Sequence, residues 1–455
     1  MFKEKNVLVL GLARSGLASA RALYKAGAFV TVTDQKDAKA LEKWVTQVKP
    51  YVQELVLGGH PDEIAKFDYA VISPGIPVDS PYVKKLTSSG VHLIGEIELA
   101  YLVTDATFVG ITGTNGKTTT TALLGEIFKT ANRKHHVVGN IGIPAVEMAQ
   151  DADPDSVLVT EVSSFQLETI EKWSCRVGAL LNITPDHLNR HKTMENYTAA
   201  KMRVFENQLS SDWAVLNYDD PSVMAQSPKI QSQIAVFSRT PHAQIGSFIE
   251  SGVFKIRLNN GVTSVCEVAD MRIFGSHNES NALAAMLMAS LCGIEVQDIK
   301  KALETFPGVA HRIEYVDSIE GRTFYNDSKA TNPDAAICAI HAMKTPTVLI
   351  AGGMDKGSLF DEMIQTARGR VKTIVVYGET KTLIEEAATR NEFNSIHRVD
   401  TLDQAVSKAF AESEYGDAIL LSPACASWDM YDDFEQRGNH FKSLVKTLKK
   451  VGGKR

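Results

Sequence analysis

The segment Gly113-Thr114-Asn115-Gly116-Lys117-Thr118-Thr119 places two glycines, a lysine and three threonine hydroxyls within seven residues. Glycines let backbone N–H groups curl around phosphate oxygens, Lys117 offsets their charge, and Thr118 can ligate Mg2+. A strand-like run, Thr107–Thr112, precedes the loop and a helix pattern follows it, the context a phosphate loop needs. The widespread spacing G-x-x-x-x-G-K-[ST] would require glycine at Ile111, whereas the nearby glycines are Gly110 and Gly113. The loop is therefore a shortened one, of a kind found in a branch of ATP-using enzymes rather than in GTPases. Two more apolar runs end in reactive groups: Val157–Thr160 at Glu161, and Val177–Ile183 at Thr184-Pro-Asp-His187. An acid at the first point would lie near the metal of a bound nucleotide. Either end alone is also ordinary strand-end chemistry; beside the glycine loop, both favour metal or phosphate contact.

Lys201 is the odd residue. In the helix pattern around Glu195–Asn207 it shares an apolar stripe with Tyr197, Ala200, Val204 and Phe205. One reading is snorkelling, with the ammonium reaching water over its neighbours. The other is a lysine kept neutral by burial, able to react with carbon dioxide and become a carbamate that holds Mg2+. The stripe by itself favours snorkelling. Ser276 and Glu279 read as a capping box, which leaves Asn278 and Asn281 unexplained. His311-Arg312 follows the punctuation Pro307-Gly308. Three later loops, Asn326-Asp-Ser-Lys329-Ala-Thr331-Asn-Pro, Gly352-Gly-Met-Asp-Lys356-Gly and Ser422-Pro-Ala-Cys-Ala-Ser427-Trp-Asp, each follow a strand pattern. Any one is explicable as turn chemistry; three in one sheet point to a ligand. Near the start, Gly11, Ala13 and Gly16 form a degenerate G-x-G-x-x-G between a strand and a helix, with Asp34 at the next strand end. Taken alone this loop favours NAD, or no ligand at all.

These loops need parallel sheets to hold them. Apolar strand runs alternate with amphipathic helix patterns in three blocks, which predicts an α/β protein. We expect a Rossmann-like N-terminal domain (1–97), a central P-loop ATPase-like domain with a parallel sheet (98–308) and a Rossmann-like C-terminal domain (309–455). A chain of 455 residues is too long for one ordinary core. Its net charge of −6, from 48 basic and 54 acidic residues, gives no support for nucleic-acid binding. Five scattered cysteines, with no metal or redox spacing, favour a reducing compartment. The start MFKEKNVLVLG runs into a strand and a glycine turn, and no apolar run is long enough to span a bilayer. A cytoplasmic protein, with no membrane or nucleic-acid partner, is expected.

Taken in order, GTNGKTT, TEVSSFQLE, NITPDHLNRH, AAKMRVFENQ, HNESNALAA, HR, NDSKATNP and SPACASWDMYDDFEQRG resemble the Mur ligases, the amide-forming enzymes of peptidoglycan precursor synthesis. The resemblance covers the whole chain. NDSKATNP and SPACAS resemble the family's D-glutamate-adding branch, and the D-N-P-[RK]-like motif of the diaminopimelate- or lysine-adding branch is absent. The resemblance implies a monomer that uses ATP and two Mg2+ ions to join D-glutamate to UDP-N-acetylmuramoyl-L-alanine through an acyl phosphate. It implies that the first domain holds UDP rather than NAD, with Arg14, Ser15, Asp34 and Gly75 near uridine and pyrophosphate. Gly113, Thr114, Asn115, Gly116, Lys117, Thr118 and Thr119 would wrap the ATP phosphates, and Asn278 and Asn281 would reach the base side. Thr118 and Glu161 would hold one Mg2+, and His187 with a carbamylated Lys201 the other. Asn140 would approach the muramoyl substrate; Arg312, Asp327 and Lys329 would serve the phosphates. Thr331, Lys356, Ser427 and Phe434 would line the D-glutamate pocket. The implied catalytic set is Lys117, Glu161, His187, Lys201 and Lys329. Gln35, where some relatives carry a hydroxyl, and Ala13, where glycine is common, put the fine uracil contacts in question.

Four alternatives compete, one of them another Mur ligase, told apart by which amino acid it adds. A folylpolyglutamate synthetase would lack the first nucleotide loop with its Asp34 and the Ser73–Pro77 turn. A non-catalytic nucleotide-binding regulator would have lost its metal and lysine positions. An NAD-dependent dehydrogenase does not explain the ATP loop.

Overall fold

The computed structural model describes residues 1–140, 142–355 and 357–452. The chain divides into two compact units, Met1–Arg272 with Glu279–Phe306, and Ile273–Asn278 with Pro307–Arg455.

The first unit contains two sheets. Strands β1 (Asn6–Leu10), β2 (Phe29–Asp34), β3 (Glu54–Leu57), β4 (Tyr69–Ile72) and β5 (His92–Gly95) pair in parallel in the order β3-β2-β1-β4-β5. Helices α1 (Arg14–Lys25), α2 (Glu42–Val48), α3 (Pro81–Ser88) and α4 (Glu96–Leu102) alternate with them. Val7–Leu10 is buried throughout, as a strand covered on both faces must be. Strand order reverses between β1 and β4, so the loops after these strands open a crevice at their carboxyl ends. Gly11 has φ +92°, and a β-carbon at Gly16 would collide with its carbonyl oxygen. Both glycines of the degenerate motif are therefore sterically required, whereas Ala13 sits in extended backbone that any residue adopts.

The second sheet has nine strands: β6 (Thr107–Thr112), β7 (His135–Gly139), β8 (Val157–Glu161), β9 (Val177–Leu180), β10 (Trp213–Asn217), β11 (Gln233–Ser238), β12 (Gly246–Glu250), β13 (Val253–Leu258) and β14 (Gly261–Glu267). Their order is β14-β13-β12-β11-β10-β9-β6-β8-β7, with β6 flanked by β8 and β9. The strands from β7 to β12 form the expected parallel sheet, and β12-β13-β14 adds an antiparallel meander at its edge. Ser251 and Gly252, both with positive φ, close its first hairpin. Helices α5 (Lys117–Thr130), α6 (Ala145–Ala149), α7 (Ser164–Leu167), α8 (Leu188–His191), α9 (Met194–Met202), α10 (Pro221–Met224), α11 (Ser276–Leu291) and α12 (Val296–Thr305) complete this block. Strand β9 stops at Leu180, before the expected Ile183, because Ile183 N–H leaves the ladder for the Asp220 carboxylate (3.0 Å). Ser276 is the first residue of α11, and Glu279 pairs with Arg239. A capping box stands at Ser163 and Gln166.

In the second unit, β15 (Glu314–Ile319), β16 (Arg322–Asn326), β17 (Thr347–Gly352), β18 (Val371–Tyr377), β19 (Ile396–Arg398) and β20 (Ala418–Leu421) run in the order β15-β16-β20-β17-β18-β19. Only β15 is antiparallel. Helices α13 (Pro333–Ala342), α14 (Asp361–Ala367), α15 (Lys381–Arg390), α16 (Leu402–Glu412) and α17 (Phe434–Gly452) cover the sheet. The last strand enters between β16 and β17, which brings three loops to one carboxyl edge.

Two buried acids on α4 join the sheets of the first unit. Glu98 accepts N–H bonds from Glu171 (2.8 Å), Lys172 (2.9 Å) and Trp173 (2.9 Å). Glu96 accepts from Val146 N–H (2.7 Å), and burial pushes its carboxyl up to about 7. Glu98→Ala would strand the buried Trp173 N–H and free two part-buried donors, and should destabilise the unit by roughly 1–3 kcal/mol, read as a lower urea midpoint. An unchanged midpoint would mean that water replaces the carboxylate there.

Candidate active site

The glycine loop after β6 is fastened on every side. Gly113 and Gly116 have φ +151° and +85°, and a β-carbon at Gly116 would collide with Asn281 Oδ1. Asn115 N–H donates to Asn182 Oδ1 (2.8 Å), and Asn182 Nδ2 returns a bond to the Asn115 carbonyl (3.0 Å). Thr114 Oγ1 donates to the Thr184 carbonyl (3.1 Å), accepts from Thr184 N–H (3.0 Å), and lies 3.2 Å from the Tyr197 hydroxyl. The loop ends at the N-terminus of α5, where N–H groups and the helix dipole favour an anion.

Two ammonium groups converge on one carbonyl. Lys117 Nζ donates to Gly113 O (2.9 Å) and Thr114 O (2.8 Å), and Lys201 Nζ donates to Gly113 O (2.7 Å). Lys201 is 2% exposed and lies over the Tyr197 ring, 4.5 Å from its centre. The snorkelling reading is thus overturned: the whole apolar stripe packs inward and the ammonium goes with it. Burial first, and the charge of Lys117 second, hold its pKa well below that of an ordinary lysine; Asp186 and Glu161 oppose them.

Glu161 ends β8 opposite Ile111 of β6, so sheet register carries it to the edge of the loop. Its Oε1 accepts from Asn140 Nδ2 (2.8 Å), while its buried Oε2 has no hydrogen-bond partner. The Thr119 and Thr184 hydroxyls are buried in the same condition. An acceptor-only oxygen without a donor fits a hard cation such as Mg2+. Among the described residues, no three His, Cys, Asp or Glu side chains cluster as a metal site. A cation here would therefore draw on hydroxyl and phosphate oxygens as well. His187 has φ +53°, and its exposed ring faces Phe165 (4.8 Å between centres) with Asp186 3.6 Å away.

In the crevice of the first sheet, Arg14 opens α1 as an exposed residue with Ser15 beside it. The Asp34 carboxylate accepts from Leu12 N–H (2.7 Å) and Lys36 N–H (2.9 Å), which fixes the first glycine loop. Gly75 lies in the Ser73–Pro77 turn with open space around it. Arg190 ties that turn to the central sheet through Pro74 O (3.1 Å) and Ile76 O (3.4 Å). A cleft of about 240 Å³ lies beside Arg14, Arg21, Trp44 and Gly142.

The remaining candidates sit in the second unit, except Asn281, which belongs to the first. Asn278 is buried and its Nδ2 donates to Phe274 O (2.8 Å). Buried Asp327 accepts from Ser422 Oγ (2.8 Å) and Ile313 N–H (3.2 Å); burial pushes its carboxyl up to about 7, against the pull of Arg312. The Arg312 Nε is buried without a partner. Lys329 Nζ lies 5.1 Å from the centre of the Phe434 ring. Ser328 Oγ donates to the Phe434 carbonyl (2.8 Å), so the β16 loop carrying Thr331 is stitched to the start of α17, and Ser427 lies buried in the β20 loop. Lys356 lies outside the described residues. Sequence reasoning missed Asn182, Tyr197 as a loop anchor, and Arg437. The first two had signals, an asparagine opening NITPDH and a tyrosine on the Lys201 stripe. Arg437 had only its place in Phe434-Glu-Gln-Arg-Gly.

Family models describe the chain in three stretches: the MurD-like N-terminal domain at residues 5–95, the Mur ligase middle domain at 111–289, and the Mur ligase glutamate ligase domain at 311–425. The chain belongs to the Mur ligase family. It is 48% identical over 451 residues to the UDP-N-acetylmuramoylalanine--D-glutamate ligase of Alkaliphilus oremlandii, covering 98% of this chain and 99% of that one. The enzyme of the same name from Alkaliphilus metalliredigens is 46% identical with the same coverage. The UDP-N-acetylmuramate-alanine ligase MurC of Thermotoga maritima shares the fold, with a TM-score of 0.62 at 17% identity over 98% of this chain and all of that one.

Asp327 gives the site a pH signature. Its folded pKa, about 7, lies above the ordinary 3.8, so the folded state holds a proton that the unfolded state has released. Its contribution is complete below about pH 4 and is lost as pH rises through 7. Asp327→Asn should flatten the decline of the second unit's thermal midpoint between pH 5 and 8. An identical decline in both proteins would assign that slope elsewhere.

Proposed function

We propose that this chain joins D-glutamate to UDP-N-acetylmuramoyl-L-alanine with cleavage of ATP to ADP and phosphate, acting as a cytoplasmic monomer with domains at 1–97, 98–308 and 309–455. The observation that carries the reading is the cradle at Gly113–Thr118, where the side-chain nitrogens of Lys117 and Lys201 meet on one carbonyl beside an unpartnered Glu161 oxygen. Full-length identity of 46–48% to enzymes of that name supports the choice of substrates.

A carboxylate does not acylate an amine in water, because its leaving group is too poor. Attack of the alanyl carboxylate on the γ-phosphorus, with ADP leaving, makes an acyl phosphate. The D-glutamate amine then adds to the acyl carbon, and phosphate departs. In the first step two anions approach each other. Lys117 and the N–H groups of Gly113–Thr119 hold the triphosphate in line and offset its charge. Arg312, Asp327 and Lys329 are assigned to the phosphates, Asn278 and Asn281 to the nucleoside, Arg14, Ser15, Asp34 and Gly75 to UDP, and Asn140 to the muramoyl arm. Thr331, Lys356, Ser427 and Phe434 are assigned to D-glutamate. Thr118, Glu161, His187 and a carbamylated Lys201 would hold two Mg2+ ions, which supply charge neutralisation for the phosphoryl group. The dry pocket around Lys201 supports the carbamate, since a neutral amine is the form that reacts with carbon dioxide.

Phosphate release in the presence of ATP, Mg2+ and UDP-N-acetylmuramoyl-L-alanine should depend on D-glutamate and not on L-glutamate, L-alanine or L-lysine. Dependence on another amino acid would refute the D-glutamate assignment. Lys201→Ala should lose at least about 100-fold in rate, the scale of removing one preorganised charge, and a short carboxylic acid in the buffer should restore part of it. Full activity of the unsupplemented variant would eliminate the carbamate.

A further inference from the structure

Arg437 is fully buried, yet no function described above uses it. It lies on the first turn of α17, three residues after Phe434, and so faces the same side of the helix. Its guanidinium spends its donors on backbone and hydroxyl oxygens of two strand-end loops. Nε donates to Ser328 Oγ (3.0 Å) and Nη2 to Ser328 O (2.8 Å), both in the loop after β16. Nη2 also donates to Cys425 O (3.0 Å), and Nη1 to Ala426 O (3.2 Å), both in the loop after β20. The loop after β17 is fitted against the same group. A β-carbon on Gly353 would approach Arg437 Nη1 to 3.1 Å, and Met354 N–H donates to Ala426 O (2.9 Å).

We propose that Arg437 is a positioning residue that sets the three strand-end loops of the second unit in one register, and through them the pocket for the incoming amino acid. The proposal rests on the assignment of Thr331, Ser427 and Phe434 to D-glutamate. Ser328 lies between Asp327 and Lys329, and Cys425 and Ala426 immediately precede Ser427, so every oxygen the guanidinium grips is within three residues of an assigned group. Ala424, a non-glycine residue at φ +59°, is held in left-handed backbone beside them. A planar fork can bridge two loops at fixed spacing, which a lysine ammonium on a flexible stem cannot reproduce. With four bonds to neutral oxygens, the buried cation is satisfied by geometry, so the loops cannot shift without stranding it.

The test compares Arg437→Lys with Ser328→Ala, the second removing the acceptor of Nε together with the Ser328 Oγ bond to the Phe434 carbonyl. Steady-state kinetics, amide hydrogen exchange and UDP titration are read on the full chain. For Arg437→Lys the KM of the amino acid that the wild type accepts should rise roughly tenfold or more, the loss of one or two charge-assisted bonds. Exchange at residues 326–331 and 422–428 should quicken, and UDP affinity, assigned to Arg14, Ser15, Asp34 and Gly75 of the first unit, should stay within about twofold, below the effect of one lost bond. Ser328→Ala should show the same pattern at smaller amplitude, and it carries the test if Arg437→Lys does not fold. Amino-acid KM and loop exchange like those of the wild type would overturn the proposal, as would an equal loss of UDP affinity. If the wild type accepts an amino acid other than D-glutamate, the substrate assignment fails while the loop-exchange result still decides the role of Arg437.

Discussion

A lysine ammonium buried at 2% exposure, 2.7 Å from a backbone carbonyl that a second lysine also grips, is the constraint around which the first unit is organised. Desolvation first, and the charge of Lys117 second, disfavour the charged form of Lys201 there. The arrangement persists because neighbouring groups over-determine it. Tyr197 offers its ring to Lys201 and its hydroxyl to Thr114; Asn182 binds both sides of Asn115; Asp186 and Glu161 contribute negative charge. The positive charge of this cradle is what a triphosphate would neutralise, so the glycine loop is preorganised for an anion rather than shaped by it.

Sheet topology delivers these groups to one place. The carboxyl ends of β6, β8 and β9 are adjacent because β6 lies between the other two, and each supplies one part: the glycine loop, Glu161, and the stretch from Asn182 to His187. The second unit repeats the device with β16, β20 and β17, whose loops carry the Asp327–Thr331 stretch, Ser427 and the Gly352-Gly353 turn. In both, rigid buried strands set the position and polar loops supply the chemistry. Buried polar residues then fix the loops: Asn182 and Tyr197 in one unit, Arg437 in the other.

Much of this was legible in the residue order. Continuous apolar runs such as Val7–Leu10 and Leu349–Ile350 mark strands buried on both faces, and glycines at their ends mark the loops. The glycine loop, Glu161 and the acid-lysine loop after β16 stood out together, because each alone is ordinary turn or strand-end chemistry and only their recurrence at strand ends points to a ligand. The antiparallel meander β12-β13-β14 escaped because its half-exposed edge strands lack a continuous apolar run. The fate of Lys201 was not legible: a helical stripe records which side chains share a face, but not whether water reaches that face's rim. Arg437 was invisible for a related reason, since an arginine near the start of a helix is ordinarily solvated and only the fold shows four protein oxygens around it.

The account stands on phosphoryl transfer to the substrate carboxylate at the Gly113 cradle, and isotope transfer reads that step directly. UDP-N-acetylmuramoyl-L-alanine carrying heavy oxygen in its alanyl carboxylate would be turned over with ATP and D-glutamate, and the released phosphate analysed by mass. One heavy oxygen in the phosphate for each amide bond formed is the result the account predicts, because the carboxylate oxygen that attacks phosphorus leaves with it. Phosphate of natural mass, with amide formed at the normal rate, would contradict an acyl phosphate and with it the role given to the cradle.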